Sequence, residues 1–190
     1  MSTYFSEHNR LNRLAKRMQK GDRRAAEALY EELFGKVYGF CLSRVRRRPL
    51  AEDLTQEIFL KLVNRVETFD SAKGSFAVWF WQLARNTVFD HYRKQKEVSF
   101  SDVGDGEESD VEHLSVHNPW PAFEARFEND RLRAFLGDLQ GDEQELFRLR
   151  FVADLSYREI AVLLERSEPS LRVAVSRLKR KIKENFQHEI

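Results

Sequence analysis

Residues 69–96, FDSAKGSFAVWFWQLARNTVFDHYRKQK, bring six Phe, Trp and Tyr side chains from Phe76 onward together with Arg85, Asn86, Arg93, Lys94 and Lys96. That mixture suits one kind of chemistry. Aromatic faces stack on unpaired bases at about 1–3 kcal/mol per base, and neighbouring cations hold the phosphates. Ser75 is placed to cap a helix and Gly74 to permit the turn before it. No Gly or Pro interrupts the next twenty residues, so the spacing predicts a long helix beginning at Phe76. At 100° per residue, Phe76, Trp79, Phe80, Leu83, Thr87 and His91 fall on one stripe that faces a core. A second stripe carries Trp81, Arg85, Val88, Phe89 and Tyr92. Taken alone, the helix allows two readings: a base-handling face, or two core stripes of a buried helix.

A second set of residues suited to nucleic acid lies near the C-terminus. Ser156 and Glu159 form a capping box that starts a short helix, and a turn follows through Glu165 and Arg166. Ser167 caps a final helix whose first turn tolerates Pro169. In that helix Leu171, Val175, Leu178 and Ile182 share one stripe. The opposite face carries Arg172, Val173, Ser176, Arg177 and Arg180, with Ser170 and Lys179 at its edges. This is a helix-turn-helix pattern, and those seven residues are the ones that would enter a major groove.

The remaining elements follow from periodicity. The 190 residues suffice for two small helical domains, each with a modest core. Leu11, Leu14, Ala15 and Met18 mark a first helix that ends at Gly21, and Asp22 caps a second running toward Val45. The cations Arg46, Arg47 and Arg48 close that helix before Pro49. In the next helix Leu54, Ile58, Leu62 and Val66 form the buried face, leaving Asp53, Gln56, Glu57 and Lys61 on the other. From 97 to 121 periodicity is lost and acids, Ser and Gly dominate, as in a flexible linker. Helical spacing resumes at Ala122, with Phe123, Phe127, Phe135 and Leu136 as apolar positions, and Asp142 is positioned to cap the helix after it.

Net charge is only +1, but cations gather at 44–48, 85–96 and 166–183 while 97–112 holds acids and no Lys or Arg. The single cysteine, Cys41, excludes an internal disulfide or thiolate zinc site. His113 and His117 are four apart but lack a third ligand, so neither a metal nor a cofactor is expected. No carboxylate or histidine constellation and no phosphate-binding glycine loop supports an enzyme. No apolar run reaches membrane-span or signal-peptide length, so no membrane insertion and a cytoplasmic location are expected. The end at Ile190 leads to the expectation of no appended sensor domain.

The stretch AEDLTQEIFLKLV, then FDSAKGSFAVWFWQLARN and DHYRKQ, resembles region two of the extracytoplasmic-function sigma factors, with Asp53, Gln56, Phe59, Gly74, Ser75, Phe76, Trp79, Ala84, Arg85 and Asn86 at the matching positions. LSYREIA followed by SLRVAVSRLKRKIK resembles region four of the same family. Glu165 and Pro169 stand where many members have Gly.

The resemblance implies an all-α chain: a region-two helical bundle over 1–96, an acidic linker over 97–121 and a region-four helix-turn-helix domain over 122–190. It also implies a non-enzymatic specificity subunit whose partners are core RNA polymerase, promoter DNA and an anti-sigma protein. By resemblance, Asp53, Gln56, Glu57 and Lys61 face the polymerase. Phe69, Asp70, Lys73, Ser75, Phe76, Trp81, Arg85, Asn86, Phe89, Tyr92 and Arg93 handle the minus-ten element, where a base is flipped out of its stack. Ser170, Arg172, Val173, Ser176, Arg177, Lys179 and Arg180 read the minus-thirty-five element. The linker acids are implied to thread the polymerase active-site cleft and RNA exit channel in the manner of RNA phosphates. The competing class, a helix-turn-helix regulator that works without polymerase, accounts only for the last forty residues.

Overall fold

The computed structural model describes residues 2–99 and 130–186. The first three positions of the expected linker, 97–99, are helical, while the linker from 100 onward and His113, His117, Phe123 and Phe127 lie outside the described residues. Within them the chain is helical and contains no strand: α1 (Ser2–Met18), α2 (Arg23–Val45), α3 (Arg48–Arg65), α4 (Phe76–Ser99), α5 (Asp130–Asp138), α6 (Gly141–Phe147), α7 (Tyr157–Leu164) and α8 (Glu168–Phe186). A 3-10 turn, Val66–Thr68, follows α3, and α6 runs on into a π-helical turn, Arg148–Val152.

Local chemistry fixes the boundaries. Gly21 adopts φ +80, which an L side chain resists, and Asp22 then accepts a hydrogen bond from Ala25 N at 3.2 Å. Helix α2 stops at Arg46 in the left-handed region. Pro49 sits in the first turn of α3, where its missing N–H costs nothing. Asp142 does not cap α6. Gln140 does, in a capping box with Glu143, which places Asp142 inside the first turn, where its charge suits the helix dipole.

The first bundle packs α2 against α1 and α3, and α4 against α1 and α3. Its core joins Leu29, Val37, Phe40, Cys41, Leu54, Ile58, Phe76 and Phe80, all essentially inaccessible to water. Burial pushes the Cys41 thiol up to about 12, so it is a packed, unreactive group. Helix α1 and the turn that follows it hold both ends of the segment leading into α4. Gln19 Nε2 donates to the carbonyls of Val66 and Phe69 at 2.8 and 2.7 Å, and Asn12 Oδ1 accepts from Phe76 N at 2.7 Å. Between these pins Asp70 Oδ1 accepts from Ala72 N at 2.9 Å. The turn is therefore an Asx turn built by Asp70. Gly74, expected to permit it, has no positive φ and open space around its Cβ position.

In the second unit α5 to α8 enclose Leu146, Leu149, Ile160, Leu171, Val175 and Leu178. Ser156 accepts from Glu159 N at 3.3 Å and Glu159 accepts from Ser156 N at 2.9 Å, completing the expected capping box of α7. Ser156→Ala is expected to destabilise this unit by about 1 kcal/mol, read as a lower urea midpoint with unchanged slope. Helix α7 ends at Glu165 with φ 53, the left-handed residue where glycine is the usual choice. Ser167 accepts from Ser170 N at 3.4 Å, and Pro169 lies in the first turn of α8.

Candidate nucleic-acid interface

Helix α8 presents two faces. Leu171, Val175 and Leu178 are buried and Ile182 is half-buried, which fixes the rotation of the helix. Ser170, Arg172, Val173, Ser176, Arg177, Lys179 and Arg180 are all exposed on the other side. Arg172 reaches Glu168 at 3.5 Å and lies 4.6 Å from the centre of the Tyr157 ring, so the start of α7 steadies its guanidinium. The arrangement is a rigid helix offering cations and short polar groups on one outward stripe, the shape a major groove admits.

On α3, Asp53, Gln56 and Glu57 are exposed and Lys61 is half-buried, bonded to Glu57 at 2.7 Å and to Thr87 at 3.2 Å. The sequence reading overlooked two apolar members of this face. Leu60 and Val63 are 62% and 58% exposed, and with Gln56 and Glu57 they make a mixed patch with an apolar centre. The signal was present, since both fall outside the Leu54, Ile58, Leu62 stripe.

The α4 stretch is more divided than the two-stripe reading expected. Phe76, Phe80, Leu83 and Thr87 are buried as expected, but so are Trp81 and Val88 from the stripe read as exposed. Trp81 is 1% accessible and meets Phe40 edge-on at 5.3 Å. It cannot stack on a base in this fold, because α2 occupies its face. Phe69 and Phe76 are also buried and pack edge to face at 5.4 Å. Asp70, Lys73, Asn86, Phe89, Tyr92 and Arg93 are exposed, while Ser75 and Arg85 are half-buried. Trp79, assigned to the core stripe, is half-buried and lines an open cleft of about 320 Å³ with Arg65, Gln82, Asn86 and Val162. The aromatic beside Asn86 is thus Trp79.

The middle of α4 carries a second constellation. Arg85 Nε donates to Glu145 Oε1 at 2.8 Å and its Nη1 donates to the Leu163 carbonyl at 2.8 Å. Arg44 pairs with the other oxygen of Glu145. Arg148 Nη1 lies 3.9 Å from the same carboxylate, and its Nε and Nη2 donate to Ser43 Oγ and O at 3.2 and 3.1 Å. Burial and the nearby Arg44 charge lower the Arg148 pKa to about 10. The guanidiniums of Arg44 and Arg85 lie 4.6 and 5.8 Å from the centre of the Phe89 ring. Among the described residues no group of three or more His, Cys, Asp or Glu is placed to hold a metal, and no helix is long and apolar enough to cross a membrane.

Comparison with known proteins matches both halves. The Sigma-70 region 2 model covers residues 29–98 and the Sigma-70, region 4 model covers residues 129–182. The chain is 29% identical over 170 residues to the ECF RNA polymerase sigma factor BldN of Streptomyces coelicolor, covering 88% of this chain but 62% of that protein. It is 28% identical over 158 residues to the ECF RNA polymerase sigma factor SigM of Bacillus subtilis, covering 83% of this chain and 92% of SigM. Its fold is similar to that of CnrH solved in complex with the cytosolic domain of CnrY, at TM-score 0.65, 19% identity and 95% and 99% coverage of the two chains. It is also similar to the sigma factor RpoE of Bartonella quintana, solved with the anti-sigma factor NepR, at TM-score 0.61, 18% identity and 86% and 98% coverage. Both sigma regions occur in order, the described residues fold into helices, α8 turns a basic stripe outward, and the chain belongs to the extracytoplasmic-function RNA polymerase sigma factors.

Proposed function

We propose that this chain is an alternative sigma factor that binds core RNA polymerase, brings it to particular promoters and helps open the minus-ten element. The observation that carries this reading is the rotation of α8, whose seven exposed groove candidates stand opposite a fully packed stripe within a matched region four. In this proposal residues 1–96 form the polymerase-binding and minus-ten domain, 97–121 a linker that threads the polymerase cleft, and 122–190 the upstream-reading domain. Helix α3 docks on the polymerase through Asp53, Gln56, Glu57 and Lys61, with Leu60 and Val63 at the centre. Helix α8 anchors duplex DNA, and the exposed groups from Asp70 to Arg93 handle the opened strand. The protein works in the cytoplasm and has no catalytic activity of its own. Two structural relatives were solved with a bound partner, CnrY or NepR, which supports an anti-sigma protein as a regulatory partner here.

The test is in-vitro transcription from genomic fragments with core polymerase, with and without the purified chain. Defined starts that need both are expected. Tight duplex binding without such transcripts would favour the regulator that works without polymerase. In the same assay Leu60→Asp is expected to lower core affinity at least about tenfold, as loss of an apolar anchor does. Its stability should change by no more than about 0.5 kcal/mol, because the side chain is exposed.

A further inference from the structure

Three arginines converge on one carboxylate where the two halves of the molecule meet. Arg44 of α2 and Arg85 of α4 belong to the first half, and Glu145 of α6 and Arg148 of the π turn to the second. All four side chains are almost wholly withdrawn from water, at 8–13% exposure. Three guanidiniums sharing one carboxylate leave an excess of positive charge in a poorly solvated place. Such an assembly holds only while the anion is present. Arg44 Nε is buried and has no hydrogen-bond partner, so the cluster keeps donor capacity that Glu145 does not use. The cluster borders an open cleft of about 460 Å³ also lined by Phe89 and Arg166.

Glu145 therefore does to these arginines what a phosphate would do. A carboxylate and a phosphate diester both offer two oxygens to a guanidinium fork, but the diester comes as one of a chain and can satisfy several cations at once. Its presence also occupies groups read as DNA-handling. Arg85 donates to Glu145 and to the Leu163 carbonyl, and one face of Phe89 carries the Arg44 guanidinium. Ser75, another candidate, donates to Glu159 of the second half at 3.4 Å.

We propose that Glu145 is an internal phosphate mimic that latches the two halves closed over a phosphate site formed by Arg44 and Arg85 of the first half, and that the sugar-phosphate backbone of single-stranded DNA displaces it. The inference rests on the reading of the chain as a sigma factor, because that reading makes single-stranded DNA the occupant. Closure withholds part of the strand-handling surface in the free protein. Displacement opens the halves, carries Arg148 away with Glu145, and leaves Arg44 and Arg85 of the first half for the incoming strand. Glu145→Gln removes the one negative charge that, among the described residues, is paired with the cluster while preserving size, so like-charge repulsion drives the halves apart.

The test uses the full chain with spin labels at Lys20→Cys and Lys183→Cys, one exposed site in each half; Cys41 is buried and does not label. Pulsed dipolar spectroscopy is expected to give one short distance for the parent protein and a longer, broader distribution for Glu145→Gln. Addition of an oligothymidylate to the parent should produce the same lengthening, a readout independent of how any variant folds. Without polymerase, Glu145→Gln should bind the oligothymidylate about tenfold tighter, the size expected when a competing closed state that held about nine-tenths of the molecules is removed. Arg44→Ala combined with Arg85→Ala should open the protein without that gain. Unchanged distances in the parent with saturating oligothymidylate would overturn the proposal, as would a folded, opened Glu145→Gln with no gain in affinity. These measurements contain no polymerase, so their failure in a chain that supports core-dependent transcription refutes the latch alone. Opening by DNA in a chain that gives no transcripts supports the latch and refutes the sigma reading.

Discussion

Trp81→Ala is expected to lower the free energy of unfolding by about 3–5 kcal/mol, the cost of emptying a buried indole site, and to drop the melting temperature by on the order of 10 °C. The indole is 1% accessible, closed in by Phe40 and Phe80, and lies where α2 meets α4. A cavity there removes contacts from both helices at once. Transcription should fall equally on a paired template and on one already mismatched at the minus-ten region, because the loss is of folded protein. Phe89→Ala provides the contrast. Phe89 is 48% exposed, so its removal costs little stability and should impair the paired template while sparing the mismatched one. Calorimetry with the two templates separates the cases. A Trp81→Ala protein with the parent melting curve and a defect confined to paired DNA would return the indole to a base-handling role.

The second large effect concerns α8. Arg172→Ala together with Arg177→Ala should weaken binding to the upstream element by about a hundredfold, since each guanidinium bound to a base edge contributes about 1–3 kcal/mol. Stability should hardly move. Arg172 is 61% exposed, and its pairing with Glu168 on the same helix is of the surface kind that contributes little. Core binding should be unchanged, because the face assigned to it lies on α3. Fluorescence anisotropy against duplex DNA over a range of salt concentrations measures the loss, and the salt slope should flatten if either arginine instead meets a phosphate. Retained affinity in the double variant would mean that α8 enters the groove on a different rotation.

Much of this architecture was legible because it is local. The capping box of Ser156 and Glu159, the start of α4 at Phe76 and the stripe of Leu171, Val175 and Leu178 each follow from residues within a turn or two of one another. The fate of Trp81 was not local. Helix α4 packs against α1 and α3 and also against α7 of the second half, and its Trp81 reaches Phe40 of α2, so it buries more than one stripe. Periodicity along one helix gives directions and does not reveal how many neighbours wait in them. The Glu145 cluster was hidden for a sharper reason. Arg44 and Glu145 are 101 residues apart and Arg85 and Glu145 are 60 apart, and a glutamate within an amphipathic helix carries no mark of burial. The clusters at 44–48 and 85–96 could be read as basic, but not that one member of each shares the same anion.

The two pins supplied by α1 and the turn after it bear on how this fold can be divided. The matched region-two stretch begins at residue 29, whereas Asn12 and Gln19, which hold the segment between Val66 and Phe76 at its two ends, precede it. A chimera that transplants only the matched stretch into a relative would carry the loop across and leave its moorings behind. The recipient would have to offer an amide at each of the two places, or the loop would arrive with its sequence intact and its shape unspecified. If the loop has the role proposed for it, promoter preference in such hybrids would then follow the donor of α1 as well as the donor of the loop, and the unit to transplant is larger than the matched region-two stretch.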